Sequence, residues 1–149
     1  MYTLVVVDMQ PAFDAANGKR VVDNCFREIL LAIKNDFPIL FLEFDGYEDT
    51  HPKLMDAVKN SGYANYYLRS KREDDGSDQI QKSVYDHGLP RSFRVCGINT
   101  DCCVAATVRG LRARFANAPI DVVADACDSN WYHLRGLEDI KSVDGVRLL

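Results

Sequence analysis

Arg94-Val95-Cys96-Gly97-Ile98-Asn99-Thr100-Asp101-Cys102-Cys103-Val104 runs from an apolar stretch through a glycine and a polar turn into a helical pattern. A buried strand that gives way at once to a helix is the repeating unit of a parallel α/β sheet, because parallel neighbours need a crossover of helix length. Cys103 falls in the first turn of that helix, over unpaired N–H groups and the positive end of the dipole, a position that favours thiolate. Free cysteine is also among the most buried residue types, so Cys103 reads either as a nucleophile or as a small core residue.

The same alternation extends in both directions. Leu4–Val7 and Ile39–Phe44 are continuous apolar runs of the kind buried on both faces of a sheet. Between them Val22, Cys25, Phe26, Ile29, Leu30 and Ile33 recur at helical spacing, and Phe37-Pro38 ends that helix. A short helix is expected over His51–Lys59, a weaker strand over Asn65–Leu68, and a charged loop over Arg69–Asp78. Gln79–His87 reads as a helix stopped by Gly88. Phe93–Gly97 is the fourth strand, and the helix after it runs from about Cys102 to Ala116 with Val104, Val108, Leu111 and Phe115 on its inner stripe. Ile120–Ala124, a helix over Trp131–Ile140 and a short strand at Val146–Leu148 complete the chain. The expected fold is a three-layer α/β/α, Rossmann-like domain covering residues 1–149, its mostly parallel sheet holding about six strands.

The totals narrow the function classes. A net charge of −4 over 149 residues offers no basic face for nucleic acid. The opening apolar run meets Asp8 too soon for a signal peptide or a membrane span. Cys25, Cys96, Cys102, Cys103 and Cys127 are odd in number and scattered, which fits reduced thiols in a cytoplasmic protein. No Gly-rich phosphate loop follows Val7, and no Cys/His spacing suits structural zinc.

In an open parallel sheet, ligands bind beyond the carboxyl ends of the strands, where strand order reverses. Asp8 follows the first strand, Lys71 the third, and Cys103 the fourth. A carboxylate that takes the thiol proton, with an ammonium that keeps the carboxylate ionised, would make that cysteine a nucleophile.

These residues resemble the isochorismatase-like cysteine hydrolases, which include nicotinamidases and N-carbamoylsarcosine amidases. The resemblance rests on Val6-Val7-Asp8-Met9-Gln10 with Phe13, and on Cys96 to Val104 with Ala106-Thr107. It continues weakly through Val122 to Ala126 and His133. It implies Asp8 as general base, Lys71 as the lysine and Cys103 as the nucleophile. It also implies a cis peptide at Ile98–Asn99 and an oxyanion hole made by the backbone N–H groups of Asn99 and Cys103. The reaction implied is hydrolysis of a C–N bond in a small amide or ureido compound through a thioester. The expected partners are a small-molecule substrate and further copies of the chain, with no nucleic acid and no membrane.

The chain departs from the family pattern at the metal site of nicotinamidases. Asp45 is present, but Tyr47 stands where the first His belongs and His51 is the other candidate, so the reading carries no metal and no cofactor. The segment from Phe44 to Lys71 is short for the family, and Arg72-Glu73-Asp74-Asp75-Gly76 replaces the usual small and aromatic residues. Cys25, Cys96 and Cys127 read as core residues, His87 as a helix end, His133 as structural, and Trp131-Tyr132 as packing or a subunit contact in preference to a substrate platform. Two other classes stay open: a catalytically silent binding or scaffold protein, and a thiol redox protein using Cys102 and Cys103.

Overall fold

The computed structural model describes all 149 residues, Met1–Leu149. Six parallel strands form one sheet in the order β3-β2-β1-β4-β5-β6: β1 (Thr3–Val7), β2 (Ile39–Phe44), β3 (Tyr66–Lys71), β4 (Phe93–Ile98), β5 (Ile120–Asp128) and β6 (Val146–Leu148). The helices are α1 (Lys19–Lys34), α2 (Pro52–Asn60), α3 (Ser77–His87), α4 (Ala105–Arg114) and α5 (His133–Lys141). None is long and apolar enough to cross a membrane.

Strand β1 shows why both faces are covered. Its residues alternate between two cores of nearly equal size, 20 and 18 buried residues. Val5 and Val7 join Leu40 and Leu42 against Ile80 and Val84 of α3, Val108 and Leu111 of α4 and Ile140 of α5. Leu4 and Val6 join Ile39 and Phe41 against Val22, Cys25 and Ile29 of α1 and Leu54 and Val58 of α2. Period-2 alternation with apolar residues on both faces is what a central parallel strand requires. Cys25, Cys96 and Cys127 are fully buried, and all five cysteines are free.

Several boundaries move from their expected places. The third strand continues to Lys71 instead of stopping at Leu68, and the loop that follows shortens because α3 already begins at Ser77. β3 is a sheet edge with a half-exposed face, so charged residues interrupt its apolar pattern without ending its pairing to β2. β5 extends to Asp128, past the expected Ala124, because its register with β4 shifts between Val95 and Gly97 and the pairing resumes at Cys127. Leu30, expected on the inner stripe of α1, is 45% exposed.

The switch of strand order lies between β1 and β4, whose ends pair as Val7 with Gly97. Gly97 has φ +121°, and a side chain there would collide with the Val7 backbone, so only glycine permits this approach.

Candidate active site

The first position after β1 is Asp8, a non-glycine residue at φ +49°. Asp tolerates this left-handed conformation better than most residues, yet it costs about 1–2 kcal/mol. Two bonds hold the turn: the Asp8 N–H donates to Leu42 O at 3.0 Å, and the Gln10 N–H donates to Asp8 O at 2.7 Å. The bend directs a buried carboxylate over the end of the sheet. Gln10, buried in the next turn, ties β1 to the connection after β2. Its Nε2 donates to Phe44 O and Glu48 O (3.0 and 2.8 Å), and its Oε1 accepts from the Phe44 N–H at 2.7 Å.

Lys71 closes β3, where its register partner is Phe44. Its side chain is wholly buried, with Nζ 2.8 Å from Asp8 Oδ2. Nζ also donates to Glu73 O (2.9 Å) and Asp74 O (3.4 Å) and lies 4.4 Å from the centre of the Phe44 ring. The approach to Asp8 is close but off the hydrogen-bonding direction, and neither Asp8 oxygen receives a well-directed bond. Burial therefore outweighs the ammonium and raises the Asp8 carboxyl above its ordinary value.

Beyond β4 the Ile98–Asn99 peptide is cis, as the resemblance implies. The chain then makes a π turn over Thr100–Val104 before α4 begins. Asn99 O accepts from the N–H groups of Cys102 and Val104, both at 3.1 Å, and its Oδ1 accepts from the Asn130 N–H at 3.0 Å. Asp101 Oδ1 bonds Ser129 Oγ at 2.5 Å, and the Trp131 N–H donates to the same Ser129 Oγ at 3.1 Å. Thr100 Oγ1 pairs with His133 Nδ1 at 2.8 Å, so His133 holds the turn in place. These bonds fasten the segment after β5 to the turn that carries Cys103.

Cys103 is 8% exposed and lies inside the π turn rather than at a free helix N-terminus. Its pKa moves the opposite way to the expected thiolate. Burial pushes the thiol well above its usual range, and the charge of Asp8 pushes it further. The resting group is a thiol facing Asp8, and the Sγ also lies 3.7 Å from Asp74 Oδ1. Cys102 is half-buried beside it, also raised by burial.

Asp8, Asn99 and Cys103 form the floor of a cavity of about 340 Å³. Its walls include Phe13, Phe44, Tyr47 and Trp131. Phe13 and Tyr47 pack with ring centroids 4.6 Å apart, and Tyr47 meets Phe44 edge-on at 5.7 Å. Trp131 is 62% exposed, so it belongs to the cavity wall rather than to core packing. A larger groove, about 680 Å³, is lined only by polar and charged residues, among them Asp45, Lys71, Arg72, Glu73 and Arg114, and Cys103 does not reach it.

Asp45 and His51 do not meet. Asp45 pairs with Arg72 at 3.0 Å, while His51 Nδ1 caps α2 by accepting from the Lys53 N–H at 3.2 Å. No three His, Cys, Asp or Glu side chains come together as a metal-binding group. Asp8, Lys71, Asn99 and Cys103 do converge. Asp74, Tyr47 and Phe44 join them with no site role assigned from sequence, Trp131 joins them where packing or a subunit contact was the expectation, and Gln10 supports them from beneath.

No family model matches the sequence, and no curated protein does. Solved structures do. The nicotinamidase SaPncA from Staphylococcus aureus superposes with a TM-score of 0.84 at 20% identity over 100% of both chains. The N-carbamoylsarcosine amidase from Thermoplasma acidophilum gives 0.77 at 18% identity, covering 99% of this chain and 95% of that one. The MAR1 ribonuclease from Caenorhabditis elegans gives 0.84 at 19% identity, over 99% of this chain and 76% of that one. The chain has the α/β fold found in nicotinamidases, N-carbamoylsarcosine amidase and isochorismatase-like hydrolases.

Proposed function

We propose that this chain is a cysteine hydrolase that cleaves a C–N bond of a small amide or ureido compound through a thioester on Cys103. The observation that carries the reading is the Asp8 carboxylate beside the Cys103 thiol on the floor of one small cavity, with the buried Lys71 ammonium 2.8 Å from that carboxylate. A raised thiol needs a base, and the carboxylate beside it is one. As Sγ attacks the substrate carbonyl, Asp8 takes the thiol proton, so charge develops on the carbonyl oxygen rather than on a free thiolate. The backbone N–H groups of Asn99 and Cys103 are the proposed donors to that oxygen, an interaction worth about 3 kcal/mol for one such donor. Asp8 then returns its proton to the leaving nitrogen. Water attacks the thioester with Asp8 again as base, and the acid leaves as the thiol re-forms. Lys71 orients Asp8 throughout and favours its ionised form whenever it must act as the base.

The ribonuclease among the structural neighbours does not change this reading. No lysine or arginine lines the cavity, and Asp8 and Asp74 would oppose a phosphate backbone. The redox alternative gains nothing from Cys102, since both adjacent thiols are held protonated. Five free thiols suit a reducing cytoplasm, and residues 1–149 act in this proposal as one domain.

A panel of small amides and ureides, assayed for ammonia release with wild type and Cys103→Ala, tests the proposal. Hydrolysis by wild type and none by the variant is expected, with the circular dichroism spectrum unchanged. Full activity in Cys103→Ala would overturn the mechanism. A folded wild type that turns over no member of the panel would favour the silent binding protein.

A further inference from the structure

The mouth of the cavity carries a carboxylate for which the proposed reaction has no use. Asp74 Oδ1 lies 3.7 Å from Cys103 Sγ, yet Asp74 forms no ion pair. The nearest ammonium, Lys71, is already committed to Asp8. The loop beneath Asp74 is held from several sides. Asp74 O accepts from Lys71 Nζ and Thr107 Oγ1, both at 3.4 Å. The Gly76 N–H donates to Thr107 Oγ1 at 3.0 Å, and Asp75 Oδ1 caps α3 through the Ser77 N–H at 2.8 Å. The backbone that carries Asp74 is therefore anchored beside the reacting sulfur.

Two further features of the cavity agree with it. Asp8, Lys71 and Asp74 sum to one net negative charge around Cys103, and the buried Asp8 oxygens have no well-directed hydrogen bond of their own. The same cavity is lined by the aromatic residues Phe13, Tyr47 and Trp131. An aromatic wall attracts cations through its electron-rich face, and a nearby carboxylate adds to that attraction. Lys71 against Phe44 already shows such a contact within the site.

We propose that Asp74 determines specificity, selecting amides or ureides with a cationic group, an ammonium or guanidinium, close to the scissile carbonyl, and rejecting acidic ones. The short distance from Asp74 to Sγ puts that cation near the reacting carbon, as in an α- or β-amino amide. The inference rests on the hydrolase reading for its chemistry, though the charge selection can be read by binding alone.

The test uses matched amides that differ in one substituent: an ammonium, a neutral isostere and a carboxylate. Wild type should prefer the cationic over the neutral member by about tenfold in kcat/KM, and over the acidic member by about a hundredfold. Asp74→Asn should erase the cationic-over-neutral ratio mainly through KM, and Asp74→Lys should invert the cationic-over-acidic ratio. A variant that lowers turnover of all three equally, leaving the ratios intact, would assign Asp74 to structure and overturn the proposal. Calorimetric titration of the same compounds into Cys103→Ala, with and without Asp74→Asn, separates the two claims. Charge-selective binding that depends on Asp74, without turnover by wild type, removes the hydrolase reading and keeps this one. Binding indifferent to charge removes this one alone.

Discussion

Two ion pairs, one wholly and one largely buried, are built to opposite rules. Glu28 of α1 and Arg94 of β4 meet in a two-pronged contact, Nε to Oε2 at 2.6 Å and the NH2 nitrogen to Oε1 at 2.9 Å. The charged forms satisfy each other there, and Glu28 raises the Arg94 guanidinium further. Asp8 and Lys71 are more deeply buried, at the carboxyl ends of β1 and β3, but their contact at 2.8 Å leaves the carboxylate without a well-directed bond. Burial accordingly raises the Asp8 carboxyl instead of lowering it. The first pair fastens a helix to a strand. The second keeps a carboxylate under-satisfied and able to accept a proton, at some expense in stability, the usual relation between a fold and its reactive site.

The largest expected effect separates them by activity. Asp8→Asn should lower kcat by about a thousandfold, the range for loss of a general base, while kcat/KM of Glu28→Gln stays within about twofold. Asn is chosen because it tolerates the left-handed backbone at position 8. Stability should separate them the other way. Glu28→Gln forfeits charge-assisted bonds in a largely buried contact and should cost about 2 kcal/mol. That corresponds to a fall in Tm of about 4–8 °C for a chain of this size. A Glu28→Gln protein with wild-type Tm would break the comparison.

How much of this could be read from the residues follows from the same contrast. Central strands show themselves because both faces are apolar, and the π turn and α4 because Val104, Val108 and Leu111 keep helical spacing; all three are buried as expected. Edge strand β3 was harder to bound, since Arg69 and Lys71 belong to it despite their charge. Asp8, Lys71 and Cys103 were legible as ends of strands feeding one switch point. The thiol's raised state was not, because position along a helix does not report burial beside a carboxylate. Asp74 was silent, and Tyr47 and Trp131 were read in other roles, for another reason. Their places depend on the courses of loops that meet only in three dimensions, and no periodicity marks them.

The pH dependence sharpens the contrast within one residue. Asp8 must be ionised to accept the thiol proton, so kcat/KM should fall about tenfold per pH unit below its pKa, which lies above the ordinary 3.8. Its effect on stability has the opposite sign. The folded state holds this proton more tightly than the unfolded chain, so the stabilisation is complete below 3.8 and is lost as pH rises through the folded value. Urea unfolding of wild type against Asp8→Asn across that window should show wild type losing ground as pH rises. The reverse trend would mean that Lys71, not burial, governs Asp8.

The smallest effect discriminates best, because it asks for a difference in sign. Removing one partner of a buried pair strands the other, whereas removing both also removes the cost of burying charge. Asp8→Asn with Lys71→Met should leave stability equal to wild type or about 1 kcal/mol above it. The Met chain can still occupy the space against Phe44, and the carbonyls of the exposed residues Glu73 and Asp74 can turn to water. Glu28→Gln with Arg94→Met should instead remain about 1 kcal/mol below wild type, since it gives up two short charge-assisted bonds and the Arg94 contact with the Tyr2 ring. Chemical denaturation of the two double variants measures both. If they shift in the same direction, the Asp8–Lys71 pair is held for stability like the other, and the under-satisfied carboxylate loses its meaning as a poised base.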